Sequence, residues 1–136
     1  ARRAASPALE RLGSLLLEEI GVALPDLPAL VRGIEEISAR LSTTVAVVAH
    51  AGDGNTHPLV VFDATDPDAS ARAHEAFGAV MDLALSLGGT ITGEHGVGRL
   101  KRAWLPAYLG EDVMTLTHRI KDALDPAGIL NPGAML

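Results

Sequence analysis

Cysteine is absent from the 136 residues, which excludes disulfides and thiolate metal sites and leaves His, Asp and Glu as the only side chains that could hold a metal. That absence suits a reducing cytoplasm. Aromatic residues make up 3% of the chain, so Trp104 and Tyr108, four apart, read as packing residues and not as a stacking platform. No apolar run approaches the roughly 18–20 residues of a membrane helix, and no secretory apolar stretch follows the opening Ala-Arg-Arg-Ala. Basic residues are in the minority, 11 against 17 acids for a net charge of -6, which argues against nucleic acid or an anionic membrane as the main partner and leaves a small polar substrate open. The length fits one domain, 1–136, with a small core. The chain begins without an initiator Met and falls at once into a helical pattern, as a fragment of something longer would.

The order of elements follows from periodicity and punctuation. Leu9, Leu12, Leu16 and Ile20 repeat at helical spacing after Ser6 and Pro7 and before Gly21, predicting a first amphipathic helix. Leu27, Leu30, Val31, Ile34, Ile37 and Leu41 predict a second after the Pro25-Asp26 break. Thr44 to Ala49 is short, β-branched and apolar on both faces, and Pro58 to Phe62 is similar; the intervening turn formers join them as a hairpin. Asp66-Pro67 opens a long helix that buries Ala73, Phe77, Val80, Met81, Ala84 and Leu87 and is closed by Gly88-Gly89. Thr90 to Thr92 is a short strand candidate. Leu100 to Leu109 reads as a helical stretch interrupted at Pro106, and Glu111 to Leu124 as a last helix with Val113, Leu116, Ile120 and Leu124 inward. The tail from Asp125 is turn-rich and expected to be extended.

The chemistry-bearing residues lie in two glycine-rich clusters. His50 and His57 flank the hairpin loop Ala-Gly-Asp-Gly-Asn-Thr, and opposing residues at a hairpin mouth have Cβ atoms about 4.5–5.5 Å apart, so both imidazoles can reach one ion. A first-row metal ordinarily takes a carboxylate as third ligand; Glu94, in Gly93-Glu94-His95-Gly96, is the natural candidate. Glycines on either side let that backbone approach a ligand, and His95 is then held nearby as a base active near neutrality. Asp53 and Asn55 read as turn residues, and His74 and His118 as surface residues. Arg99, Lys101 and Arg102 form either a solvated face or a site for a carboxylate or phosphate.

Three segments in order, His50-Ala-Gly-Asp-Gly-Asn-Thr-His57, Gly88-Gly-Thr-Ile-Thr-Gly-Glu-His-Gly-Val-Gly-Arg99 and Asp125-Pro-Ala-Gly-Ile-Leu-Asn-Pro-Gly133, resemble the C-terminal region of the FAD-linked oxidase family. That family includes glycolate oxidase flavin subunits, D-lactate dehydrogenases and D-2-hydroxyglutarate dehydrogenases. The resemblance implies that His50, His57 and Glu94 ligate a divalent metal, usually zinc, that His95 is the active-site base, and that Asn131 lies near the flavin. It also implies an FAD-binding N-terminal domain outside this chain and no turnover by the fragment alone; Arg99, from the basic cluster and not from the resemblance, is the candidate for the substrate carboxylate. The chain departs from the common pattern at Leu59, where many members have a polar residue, and at Ala134, where many have Lys.

The expected fold is α+β, an antiparallel sheet with helices on one face, similar to part of a ferredoxin-like cap with a C-terminal helical tail. An unpaired sheet edge would favour a homodimer. The expected function is oxidation of a small 2-hydroxy acid of D-lactate or glycolate type to the 2-oxo acid, in the cytoplasm or peripheral to a membrane through an electron-transfer partner. The alternatives are a metal-dependent hydrolase, weakened by the lack of a His-Glu-x-x-His motif, and a non-catalytic folded module.

Overall fold

The computed structural model describes residues 5–136, which divide into two compact units at the Gly93–Glu94 junction. The first contains α1 (Ala5–Leu9), β1 (Ser14–Leu17), β2 (Ile20–Gly21), α2 (Leu27–Leu41), β3 (Thr44–His50), β4 (Asn55–Phe62) and α3 (Pro67–Ser86). Of the helix expected from Ser6 to Ile20 only the start forms, as α1, and the second half is strand. Its i, i+3, i+7 leucines are interleaved with Leu15 and Leu17, a run equally compatible with a strand, and tertiary pairing decides: Leu15 lies opposite Val61 and Leu16 opposite Val60. Between α1 and β1, Gly13 runs so close to β4 that a Cβ would stand 2.6 Å from the Phe62 carbonyl oxygen.

The other predicted elements of this unit form close to their expected bounds. Pro28 in the first turn and a left-handed Ser42 at the end (φ 49°) delimit α2, which buries Leu30, Ile34 and Ile37. The Asp66 carboxylate caps α3 by accepting the Asp68 N–H at 2.9 Å, and the helix buries Ala73, Ala76, Phe77, Val80, Met81 and Ala84. β3 and β4 pair antiparallel, but β4 starts at Asn55 and not at Pro58. The connecting loop is correspondingly shorter, residues 51–54.

β4 is the central strand, with β3 along one edge and β1 and β2 along the other. β1 and β2 keep one register, Leu17 opposite Leu59 and Ile20 opposite Thr56, which places Glu18 opposite Pro58 and Glu19 opposite His57. The ladder lapses between them for a simple reason. Pro58 accepts the Glu18 N–H at 2.9 Å but has no N–H to return. Beyond β2, Thr90 makes a single antiparallel bridge to Gly21. The connectivity β-α-β-β-α-β, with the last strand reduced to that bridge, is the ferredoxin-like split βαβ order, and the fold class is α+β as expected.

Strand alternation separates two faces. Thr56, Pro58, Val60 and Phe62 share one, and the Phe62 ring meets His74 of α3 at a centroid distance of 6.4 Å, which marks it as the helix side. Asn55, His57, Leu59 and Val61 point the other way.

The second unit, Glu94–Leu136, contains a 3-10 turn at Arg102–Trp104, α4 (Leu105–Leu109) and α5 (Glu111–Leu124). Pro106 does not interrupt a helix; it occupies the first turn of α4, where its missing N–H leaves no bond unmade. α5 has the expected ends, but Val113, Leu116, Ile120 and Leu124 are 45–75% exposed instead of inward. An apolar stripe identifies the face a helix would bury, not whether this chain supplies the cover.

The tail is not extended. Asp125 accepts the Ile129 N–H at 2.9 Å and the Leu130 N–H at 3.0 Å, and bonds the Lys121 ammonium. That ammonium also donates to the Leu130 carbonyl at 2.7 Å. The Lys121 bond holds the Asp125 carboxyl below the ordinary carboxylate range, against the desolvation that would raise it, and the Leu130 and Ile129 amides assist. One buried carboxylate thus wraps the turn formers back onto α5. Among the described residues no helix is long and apolar enough to cross a membrane.

Candidate active site

The hairpin loop is tied to the first histidine by its own backbone. The His50 carbonyl accepts N–H groups from Asp53 (3.2 Å) and Gly54 (3.1 Å), and the Asp53 side chain accepts the Asn55 N–H at 2.9 Å, the Asx turn expected of Asp53. Gly54 is required: its φ is +83° and a Cβ would lie 2.0 Å from the Val22 carbonyl oxygen. His50 pairs with Asn55 and Val48 with His57, so both imidazoles project from the same face in diagonal positions. Their ring centroids are 5.2 Å apart, edge to face at 74°. His57 is buried and His50 half-buried. The structure therefore brings the two predicted histidines together, diagonally and not directly opposite.

Sequence reasoning missed the group beside them. Glu19 is fully buried, and its ligand atom and that of His57 lie within 4.8 Å of each other. Its carboxylate accepts Asn55 Nδ2 at 3.1 Å on one oxygen, and the Thr92 hydroxyl at 3.0 Å and the Gly93 N–H at 2.8 Å on the other. Asn55 is accordingly more than a turn residue; it opens β4 and joins the hairpin to Glu19. A signal existed in the sequence: Glu18-Glu19 follows Leu15-Leu16-Leu17 and precedes Ile20, acids where a strand should be apolar. Alongside lies a cavity of about 360 Å³ whose walls include Gly21, Asp53, Asn55, Gly89, Thr92 and Gly93.

The path from α3 to Gly93 is fixed by close backbone contact. Gly89 has no room for a side chain, since a Cβ would stand 2.2 Å from the Gly21 carbonyl oxygen. Thr90 then bonds Gly21 in both directions, at 2.7 and 3.2 Å, and Ile91 is fully buried.

The remaining predicted residues belong to the second unit. Glu94 Oε1 and His95 Nε2 are 3.8 Å apart, with side chains 60% and 39% exposed. Gly96 and Gly98 follow with φ of +78° and +56°. Arg99 donates to the Pro132 carbonyl at 3.0 Å and Arg102 to the Gly133 carbonyl at 3.2 Å, so these two arginines hold the tail, while Lys101 between them is buried. Asn131 is exposed and left-handed at φ 49°, and its carbonyl accepts the Ala134 N–H at 3.2 Å. His74 and His118 are exposed as expected.

The chain matches one family model, "FAD linked oxidases, C-terminal domain", over residues 1–135. The chain belongs to that family. It is 47% identical over 107 residues to glycolate oxidase subunit GlcD of Escherichia coli (strain K12), covering 79% of this chain and 21% of the relative. The same-named subunit of Bacillus subtilis (strain 168) is 40% identical over 136 residues, 99% of this chain and 29% of the relative. The mitochondrial D-lactate dehydrogenase [cytochrome] of Arabidopsis thaliana is 38% identical over 122 residues, 89% of this chain and 21% of the relative. The chain thus spans between a fifth and a third of the length of these FAD-linked oxidase relatives.

Proposed function

We propose that this FAD-linked oxidase C-terminal domain serves the oxidation of a small 2-hydroxy acid, of glycolate or D-lactate type, to the 2-oxo acid. The observation that carries the reading is the pair of imidazoles on one sheet face, 5.2 Å apart and half-buried or buried. The donor set suits a divalent ion: two imidazoles from His50 and His57 with a carboxylate from Glu94, chemistry of the kind zinc accepts. Glu94 follows directly on Gly93, whose N–H donates to the Glu19 carboxylate. FAD is held mainly by polypeptide outside this chain, with Asn131 near it.

When bound, the ion supplies a Lewis acid that lowers the pKa of a coordinated hydroxyl, and the flavin supplies the hydride acceptor. This chain's residues do the rest. His50, His57 and Glu94 would hold the ion; Arg99 offers a guanidinium to the substrate carboxylate; His95 takes the hydroxyl proton on a ring nitrogen. Loss of that proton and of hydride from C2 leaves the 2-oxo acid. Among the described residues β3 pairs with β4 alone, and an edge of that kind supports homodimer formation.

The test is His95→Ala in the full-length protein, assayed with glycolate, D-lactate and D-2-hydroxyglutarate. Loss of a general base lowers kcat by about 10²–10⁴-fold; near-normal turnover on the preferred substrate removes His95 from the role and the mechanism with it.

A further inference from the structure

Glu19 is hydrogen-bonded through its carboxylate both to the histidine hairpin and to the Thr92-Gly93 stretch that leads into Glu94-His95. It stands opposite His57 in the sheet register, one strand over, on the face that carries both imidazoles. A fully buried carboxylate is tolerated only when its oxygens are satisfied, and here the three donors at 2.8–3.1 Å come from two separate stretches of chain. Asn55 belongs to the hairpin: it is the register partner of His50 and two residues before His57. Thr92 and Gly93 belong to the segment that leads into Glu94-His95. These contacts cross 36 residues on one side and 73 and 74 on the other.

We propose that Glu19 is a positioning residue for the metal and proton-transfer groups, a buried clamp whose two oxygens hold the hairpin carrying His50 and His57 in register with the origin of the Glu94-His95 segment. The proposal rests on the functional reading above and deepens it. The clamp acts through groups that donate, so charge and shape both matter. A glutamine at this position keeps the volume but puts an NH₂ against at least one of three donors, and one oxygen cannot replace two. The nearby Gly93 reinforces the point: a Cβ there would meet Asn55 Nδ2 and Glu19 Oε1, each at 3.2 Å, so clamp and segment are packed directly together.

The test uses the full-length protein and two variants, Glu19→Gln and Thr92→Val, the second removing one donor with little change in size. Zn²⁺ and Mn²⁺ are titrated calorimetrically into metal-free protein, and kcat and KM are measured over a range of metal concentrations. Partners that orient metal ligands typically change affinity by about 10–100-fold. Glu19→Gln is expected to weaken metal binding by that factor, with kcat recovering as metal is raised, and Thr92→Val to shift both in the same direction by less. His57→Ala is the reference. If His57→Ala keeps full metal affinity and turnover, the functional reading fails. If His57→Ala loses both while folded Glu19→Gln and Thr92→Val bind metal as the parent does, the clamp alone is overturned. Abolition of binding by Glu19→Gln as complete as that by His57→Ala also overturns it, because Glu19 would then be a ligand. Should Glu19→Gln not fold, Thr92→Val decides: a weakened, metal-rescuable kcat supports the clamp and unchanged metal affinity refutes it.

Discussion

Two glycines of the histidine hairpin, two residues apart, are expected to respond to alanine with opposite signs. Gly54 has φ +83°, a backbone conformation that costs a side-chain-bearing residue about 1–2 kcal/mol. Its Cβ would also stand 2.0 Å from the Val22 carbonyl oxygen, a backbone atom that cannot swing aside, and overpacking of that kind costs about 1–3 kcal/mol. Gly54→Ala should therefore destabilise the protein by about 2–5 kcal/mol. Gly52 has no atom within 4 Å of a built Cβ and an ordinary φ, so Gly52→Ala should be neutral or stabilising by up to about 1 kcal/mol through the unfolded chain. Equilibrium urea unfolding, analysed by linear extrapolation, measures both. The strain is local to the turn that the His50 carbonyl organises, so metal titration should show weakened binding in Gly54→Ala and none of that in Gly52→Ala. If the two variants unfold within about 0.5 kcal/mol of each other, below the effect of most burial or strain defects, the loop geometry deduced here is wrong.

Asp125→Asn should loosen the tail, detected as faster amide exchange at Ile129 and Leu130, and should alter the acid limb of stability. The folded carboxyl titrates lower than the unfolded one, so its stabilisation is fully present above the unfolded carboxyl range, about pH 4, and is lost as pH falls through the lowered folded value; an unchanged acid limb in the variant would discount the clamp by Lys121. Dialysis of the full-length protein against a chelator should remove most of its turnover, restorable by Zn²⁺ or Mn²⁺, and full activity at substoichiometric metal content would rule out the metal-assisted reading.

What could be seen in the sequence was whatever local punctuation determined. α2 and α3 carry proline in the first turn and, in α3, an aspartate cap, and their buried residues follow the expected stripes, except that α3 also buries Ala76 and leaves Leu87 half-buried past its end. The hairpin was visible because its loop is made of turn formers between β-branched runs, and with it the proximity of His50 and His57. Local spacing failed where a distant partner decided. Leu9 to Ile20 satisfies a helical period, yet pairing with β4 converts its second half to strand. Glu19 stood out only as an acid in an apolar run, with nothing local to assign it to the site, because its donors lie 36 to 74 residues away and only register brings them in. The stripe of α5 was legible as apolar but not as exposed, since burial depends on what else is present. Asp125 looked like one turn former among several, and its role follows from Lys121 one helical turn earlier.

The proline after the second histidine links fold to site. Central strands ordinarily exclude proline because every N–H there is needed, yet Pro58 sits in the middle of β4 with strands on both edges. The missing bond falls opposite Glu18, the one interruption between Leu17 and Ile20. A regular ladder through that point would hold the backbone of Glu18 and Glu19 to standard pairing; the lapse leaves this pair bonded from one side while both neighbours stay in register. Within that lapse the Glu19 carboxylate reaches diagonally to Asn55 and onward to Thr92 and Gly93. A sheet defect that weakens the strand by one hydrogen bond, about 0.5–1.5 kcal/mol, is thus placed beside His57, where the gain is three hydrogen bonds to a buried charge. Hydrogen bonds to charged groups contribute about 1.5–3 kcal/mol each, so the three bonds gathered on Glu19 outweigh the one ladder bond that Pro58 leaves unmade next to them.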